Sequence, residues 1–412
     1  VNFTVTYHMA EQDIKTRLDR KELELNALLE ITQAINANVP ESSLYKIFHF
    51  TLRSNLDIKK LALYVFDERW TCQANFGTKT NFLKLQLDGR FHLIRQVHQM
   101  KEFDEECEFH EFDVVIPVAH ENQTLAVVFV GGLHDLDNFQ DGIRFIQALS
   151  NIIIVAIENK KLARKQLEQE AFRKELEIAS DVQQFLFPEK LPHTDRLKLE
   201  ASYLPHDLVG GDYYDYIPIN KNQFLLCVAD VSGKGIPAAL MMSNFQASLR
   251  TLLRQMPNLT EIVEALNYQV LENAKGEKFI TFFGAIYDIN LKTLVYVNAG
   301  HNPPILWDKK HGIRMLEEGS TVLGAMHPLP SLQEGFITDL DDFLLFCYTD
   351  GLTETINEEG VEYGAQALVD YFKNNHHKDI KVIHQDIIVG LDGFKGKNSY
   401  RDDITMLSCR VG

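Results

Sequence analysis

Between Ala156 and Leu186 the chain contains neither proline nor glycine, and Glu, Lys, Gln and Leu dominate. Nothing in that stretch interrupts an α-helix, so it predicts one long helix, ended by Pro188 and Pro192. This helix divides 412 residues, a length suited to two or three domains, into halves with different patterning. Within it Phe172, Leu176, Ala179, Gln183 and Leu186 alternate steps of four and three, the spacing of a heptad seam, whereas Leu162 and Leu167 leave that phase. Two readings stand. The helix pairs with a second copy as a coiled coil, which implies a homodimer, or it is a charged, solvated helix with one face packed on its own domain.

On the N-terminal side, apolar residues recur at helical spacing from Glu11 to about Asn38 (Leu25, Leu28, Leu29, Ile35) and stop before Pro40; a second short helix spans roughly Ser42 to Asn55. The period then changes. "LALYVFD", "DVVIPVA" and "LAVVFVGG" are β-branched or aromatic runs bounded by turn residues, and 138–158 returns to helix. A sheet with helices on one side fits this region as one small domain.

A formal net charge of −17 argues against general nucleic-acid binding, which needs a basic surface, and suits a protein that attracts cations. Five cysteines (Cys72, Cys107, Cys227, Cys347, Cys409) lie far apart with no C-x-x-C pair, as expected of buried thiols in a reducing, cytoplasmic compartment. The longest aliphatic run, Ile152 to Ile157, falls far short of the ~18 residues that span a bilayer, and no signal peptide is apparent. No membrane segment is expected.

On the C-terminal side, the strand-like runs "LKLEASYL", "YYDYIPI" and "QFLLCVAD" precede helices near 236–255 and 259–274. "FITFFGAIYDI", "TLVYVNAG", "FLLFCYTD" and "ITMLSCRV" follow, with helices near 363–373 and 379–390 between the last two. Strand beside strand with helices in pairs predicts an α+β fold of antiparallel sheets covered by helices.

In "ADVSGKGIPAALMMS" the Gly233-Lys234 turn invites comparison with a phosphate loop, but Val228 stands where the first glycine is required and Gly235 where the hydroxyl is required. The acids say more. "VGGDYYD" places Asp212 after a glycine pair, "CVADVSG" places Asp230 at the end of an apolar run, "FCYTDGL" does the same with Asp350, and "RDDIT" places Asp402 and Asp403 at the start of one. Each segment alone reads as an ordinary turn. Converging, the acids would repel one another unless a cation sat among them, and an all-oxygen set suits magnesium or manganese.

Together with "YVNAGHNPPIL", these segments resemble, in order and spacing, the bacterial serine phosphatases of the stage-II-sporulation and sigma-B-regulator type, within the metal-dependent type 2C protein phosphatase fold. The resemblance covers about residues 175–411; the part from about 20 to 158 resembles a GAF sensor domain with its entering helix. It implies an N-terminal extension (1–19), a GAF-like sensor (20–158), a linker or switch helix (159–187) and a phosphatase domain (188–412) built as an αββα sandwich. Two manganese or magnesium ions are implied. Asp230 bridges them, the Val231 carbonyl joins one, Asp212 holds the first, and Asp350 and Asp402 hold the second, with Asp403 as the neighbouring candidate.

The implied activity is hydrolysis of phosphoserine or phosphothreonine on a signalling partner, such as an anti-sigma-factor antagonist. An unidentified ligand or protein at the sensor controls it through "LEIASDVQQFLFPEKLP". The alternative is a catalytically weak phosphatase fold that recruits a partner. No arginine lies between Gly210 and Tyr216 to grip phosphate; the metals, backbone N–H groups near Ser232 and Gly233, or Arg401 are the candidates. Lys234 reads as a surface turn residue and His301 as a structural histidine. Leu240, Met241, Phe245, Leu249 and Leu252 read as a core stripe.

Overall fold

The computed structural model describes residues 2–55, 58–103, 107–120, 123–132 and 139–412. They form two compact units, Val1–Glu170 and Ala171–Gly412. The first unit runs α1 (Asn2–Asn36), α2 (Glu41–Asn55), β1 (Lys60–Asp67), β2 (Arg69–Phe76), β3 (His98–Gln99), β4 (Val114–His120), β5 (Gln123–Gly131) and the start of α3 (Phe139–Gln184). α1 begins well before Glu11. It ends as the sequence requires, with Asn38 in the left-handed conformation just ahead of Pro40.

The five strands form one antiparallel sheet in the order β2-β1-β5-β4-β3. β5 shows how both faces are buried. Ala126, Val128 and Val130 pack with Ile31, Phe48, Leu52 and Ile146 of the helices, while Val127 and Phe129 point into an aromatic cluster with Tyr64, Phe82, Phe91 and Phe109. Alternation along a strand therefore serves two apolar layers, which is why the run reads as continuously apolar. β2, with its mixed pattern "RWTCQANF", is a half-exposed edge strand that the sequence patterning does not reveal.

Among the described residues only α3 is long and apolar enough to cross a membrane. The residues that make it apolar, including Phe145, Ile146, Leu149, Ile153 and Ile157, are buried in the sheet-facing core.

In the second unit β6 (Leu197–Leu204), β7 (Tyr213–Pro218) and β8 (Gln223–Val231) precede α4 (Ile236–Gln255) and α5 (Leu259–Ala274). Then come β9 (Ile280–Asp288), β10 (Thr293–Ala299), β11 (Ile305–Asp308), β12 (Gly312–Met315), β13 (Gly319–Ser320), β14 (Gly335–Ile337) and β15 (Phe343–Tyr348). A short α6 (Asp350–Thr353), α7 (Ala365–Asn375), α8 (Ile380–Lys395) and β16 (Ile404–Val411) complete it. One sheet has the order β13-β10-β9-β8-β7 with β14 also on β10, and the other the order β12-β11-β15-β16-β6. Every pairing except β10 with β13 is antiparallel.

Side-chain alternation builds the layers. Phe224, Leu226 and Val228 of β8 meet Leu345, Cys347, Leu407 and Cys409 between the sheets, while Leu225, Cys227 and Ala229 face α4 and α5. Leu344, Phe346 and Tyr348 of β15 face α7 and α8 in the same way. The result is the α+β, helix-sheet-sheet-helix sandwich that the sequence implies. The stripe on α4 differs from the expected one: Leu240 is exposed and Met241 only half-buried, and Ala238, Met242, Phe245, Leu249 and Leu252 form the buried line. Pro237 in the first turn sets where the helix begins, and hence which side chains face the sheet. All five cysteines are free thiols, and burial pushes those of Cys227, Cys347 and Cys409 up, which makes them inert.

Candidate functional site

β8, β15 and β16 bring the sequence-marked acids to neighbouring ends of the two sheets. Asp230 is the penultimate residue of β8, Asp350 opens α6 just after β15, and Asp402 and Asp403 immediately precede β16. Asp212 stands one residue before β7, which pairs with β8. Asp212 feels the charge of Asp230, and Asp230 feels the charges of Asp350, Asp402 and Asp403.

Asp212 is 1% exposed. It accepts hydrogen bonds from Thr349 Oγ1 (2.8 Å) and Thr405 Oγ1 (2.6 Å), one from each side of the second sheet's site edge. The threonines are tied to each other, because the Thr405 N–H donates to Thr349 Oγ1 at 2.9 Å. Neither was singled out in the sequence, although both belong to the acidic segments "YTDG" and "DDIT".

The adjacent acids Asp402 and Asp403 differ in their surroundings. Asp403, 7% exposed, accepts from the backbone N–H groups of His206 (2.7 Å) and Gly211 (2.9 Å), so it fastens the loop that carries Asp212. The Asp402 side chain is 42% exposed and pairs with Lys234 Nζ at 3.0 Å. The glycine pair permits this close packing. A Cβ on Gly210 would overlap the Asp403 carboxylate and the Tyr203 hydroxyl, and one on Gly211 would press on the Val231 carbonyl at 2.9 Å. The Val231 carbonyl therefore faces the Asp212 loop.

Burial, then the Asp230 charge, holds the Asp212 carboxyl well above the usual carboxylate range against the pull of its two threonine donors. Burial, then Asp350, Asp402 and Asp403, pushes Asp230 to about 7. Burial and Asp402 raise Asp350 as well. At ~1.4 kcal/mol per pKa unit, ionising Asp230 without a counter-charge costs on the order of 4 kcal/mol. A divalent cation would remove that cost.

Among the described residues no three His, Cys, Asp or Glu side chains close on a single point as a dry ligand cage. An open rim of carboxylates with a backbone carbonyl instead suits a hydrated hard ion, since magnesium keeps several waters and takes one or two carboxylates. The donor set fits.

Three other groups stiffen the site. Asp215, fully buried, is gripped by Arg250 through Nε (2.8 Å) and Nη2 (3.1 Å) and receives the Tyr213 hydroxyl, which locks α4 onto β7. His301 Nδ1 lies 2.8 Å from Thr281 Oγ1, and Thr281 is the β9 partner of Asp230. Burial lowers the His301 ring to about 4, so it is neutral at physiological pH. Gln183, in the last turn of α3, donates to the Gly210 carbonyl (2.8 Å) and accepts from the Gly210 N–H (3.2 Å). The sequence pattern placed Gln183 on a coiled-coil seam, whereas its amide is buried against the Asp212 loop.

Residues 220–412 match the Stage II sporulation protein E (SpoIIE) family. This part of the chain is similar to that family over 220–412. It is 32% identical over 193 residues to the phosphoserine phosphatase RsbU of Bacillus subtilis, covering 47% of this chain and 57% of that protein. Protein IcfG of Synechocystis is 26% identical over 289 residues (63% of this chain, 45% of IcfG), and phosphoserine phosphatase RsbP of B. subtilis is 25% identical over 236 residues (56% of each). The chain thus spans about half the length of the curated relatives it matches. The SiaA-PP2C domain of Pseudomonas aeruginosa superimposes with a TM-score of 0.54 at 19% identity, over 60% of this chain and 99% of that domain. This part of the chain thus shares the fold of that PP2C domain.

Proposed function

We propose that the chain is a metal-dependent protein serine/threonine phosphatase that acts on phosphoserine or phosphothreonine of a cytoplasmic signalling partner of the anti-sigma-factor-antagonist type. The observation that carries this reading is the gathering of Asp212, Asp230, Asp350 and Asp402 at neighbouring ends of the two sheets, where burial raises the first three, the Asp230 charge adds to Asp212, Asp350 and Asp402 add to Asp230, and Asp402 adds to Asp350. Two relatives named phosphoserine phosphatases support the substrate class.

Asp212, Asp230, the Val231 carbonyl, Asp350 and Asp402 would hold two magnesium or manganese ions. Bound there, the ions would activate a water and offset charge on the phosphoryl oxygens. The protein's own contribution is positional. Thr349 and Thr405 fix the Asp212 carboxyl, and Asp403 and the glycine pair fix its loop.

The first unit, with one helix-covered sheet face and one aromatic-filled face, is read as the GAF-like sensor. Its signal would travel through α3 to Gln183, whose amide holds Gly210 two residues from Asp212. Phe172, Ile178 and Val182 are exposed apolar residues on α3, which supports a homodimer paired through this helix. The decisive assay compares the intact chain with Asp230→Asn on a phosphoserine protein and p-nitrophenyl phosphate with manganese. A loss of about 10³-fold or more is expected for a residue that holds the ions, and equal rates would sink the assignment.

A further inference from the structure

A phosphoryl dianion needs a positive partner, and this acidic chain has no arginine on the Asp212 loop. The structure places a lysine at the cleft instead. Lys234 follows Asp230 on the same turn, and its ammonium reaches across to the other sheet, 3.0 Å from Asp402 Oδ2 and hydrogen-bonded to the Arg401 carbonyl. Its charge is also felt by Asp350 and Glu354. On the far side of the turn the Lys278 ammonium rests against the open face of Gly233, where any Cβ would strike it. Two ammonium groups therefore flank the short segment between Asp230 and the start of α4.

The Lys234–Asp402 pair is 44% and 42% exposed at its two side chains. Such an exposed pair holds weakly, so it places the ammonium without locking it.

We propose that Lys234 is the phosphate-positioning group of this site, its ammonium placed beside Asp402 and the Arg401 carbonyl where substrate phosphoryl oxygens would approach the acids. The inference rests on the phosphatase reading above. It assigns to a side chain what was expected of Arg401 or of backbone N–H groups, and it revises the reading of Lys234 as a surface turn residue.

The test uses the full chain with Lys234→Met and Lys234→Arg. Manganese binding is followed by calorimetry, inhibition by inorganic phosphate by its Ki, and turnover of a phosphoserine peptide by kcat and KM. Lys234→Met is expected to weaken phosphate inhibition and raise KM by about tenfold, the effect of one charge-assisted contact. It should also bind manganese as tightly as the parent or up to about fivefold tighter, because a competing cation is gone. Lys234→Arg should restore phosphate inhibition to within about threefold, which a merely structural role would not predict. Unchanged phosphate inhibition in Lys234→Met, looser manganese binding in that variant, or no rescue by arginine overturns the proposal while leaving the phosphatase reading intact. A parent chain that binds no manganese overturns both.

Discussion

The interiors of the two units are built on opposite principles. Around the five-stranded sheet, both faces are filled with apolar and aromatic side chains, and the Tyr64 hydroxyl finds backbone carbonyls of Phe82 and Leu85. In the second unit the same double burial of strands is interrupted at one edge by carboxyls that oppose one another in the absence of a cation. The first interior is complete in itself. On the metal-dependent reading the second would be completed by cations, and threonines, glycines and Asp403 fix the acids in place.

The contrast breaks most visibly at Phe129, fully buried among Tyr64, Phe91, Phe109 and Phe112. Phe129→Ala should destabilise the first unit by about 3–5 kcal/mol in urea unfolding, with no dependence on manganese. A manganese-dependent loss would mean that the two interiors are not independent in kind.

The second unit should instead respond to pH. Asp230 titrates near 7 when folded but near 3.8 in the unfolded chain, so between those values the native state holds a proton that the unfolded state has released. The stability from this group is complete below about 4 and is lost as pH rises through 7, a decline of about 4 kcal/mol in the metal-free protein. Manganese should remove the decline at neutral pH; metal-free stability that rises from pH 4 to 7 would contradict it.

A smaller effect sharpens the role of the threonines. Thr405→Val removes the 2.6 Å donor to Asp212 and should weaken the metal-free second unit at neutral pH by about 1.5–3 kcal/mol, measured by urea unfolding. If Thr405→Val is neutral, Asp212 is held by Thr349 alone.

Much of this was legible because burial writes itself into local pattern. The strand-end position of Asp230 and Asp350 followed from the apolar runs "FLLCVA" and "FLLFCY", and those runs are apolar throughout because each strand serves two layers. Two kinds of feature stayed hidden. Edge elements such as β2 have one solvated face and a pattern close to that of a loop. Groups whose role depends on a distant partner carry no local mark: Gln183 meets Gly210 from 27 residues away, and Thr405 meets Asp212 from 193. Asp402 and Asp403 are adjacent, yet only the approach of the His206–Gly211 loop distinguishes an acid that fastens backbone from one that faces solvent.

The tight seat of Gly210 bears on how chains of this design should be compared with one another. One added methyl there would drive the Asp403 carboxylate and the Tyr203 hydroxyl from their places while every candidate ligand acid stayed in the sequence. A lineage can thus silence the chemistry and keep the scaffold through a single alanine. Counting acids then mistakes a retired enzyme for a working one, and the glycine pair ahead of Asp212 is the more telling place to look.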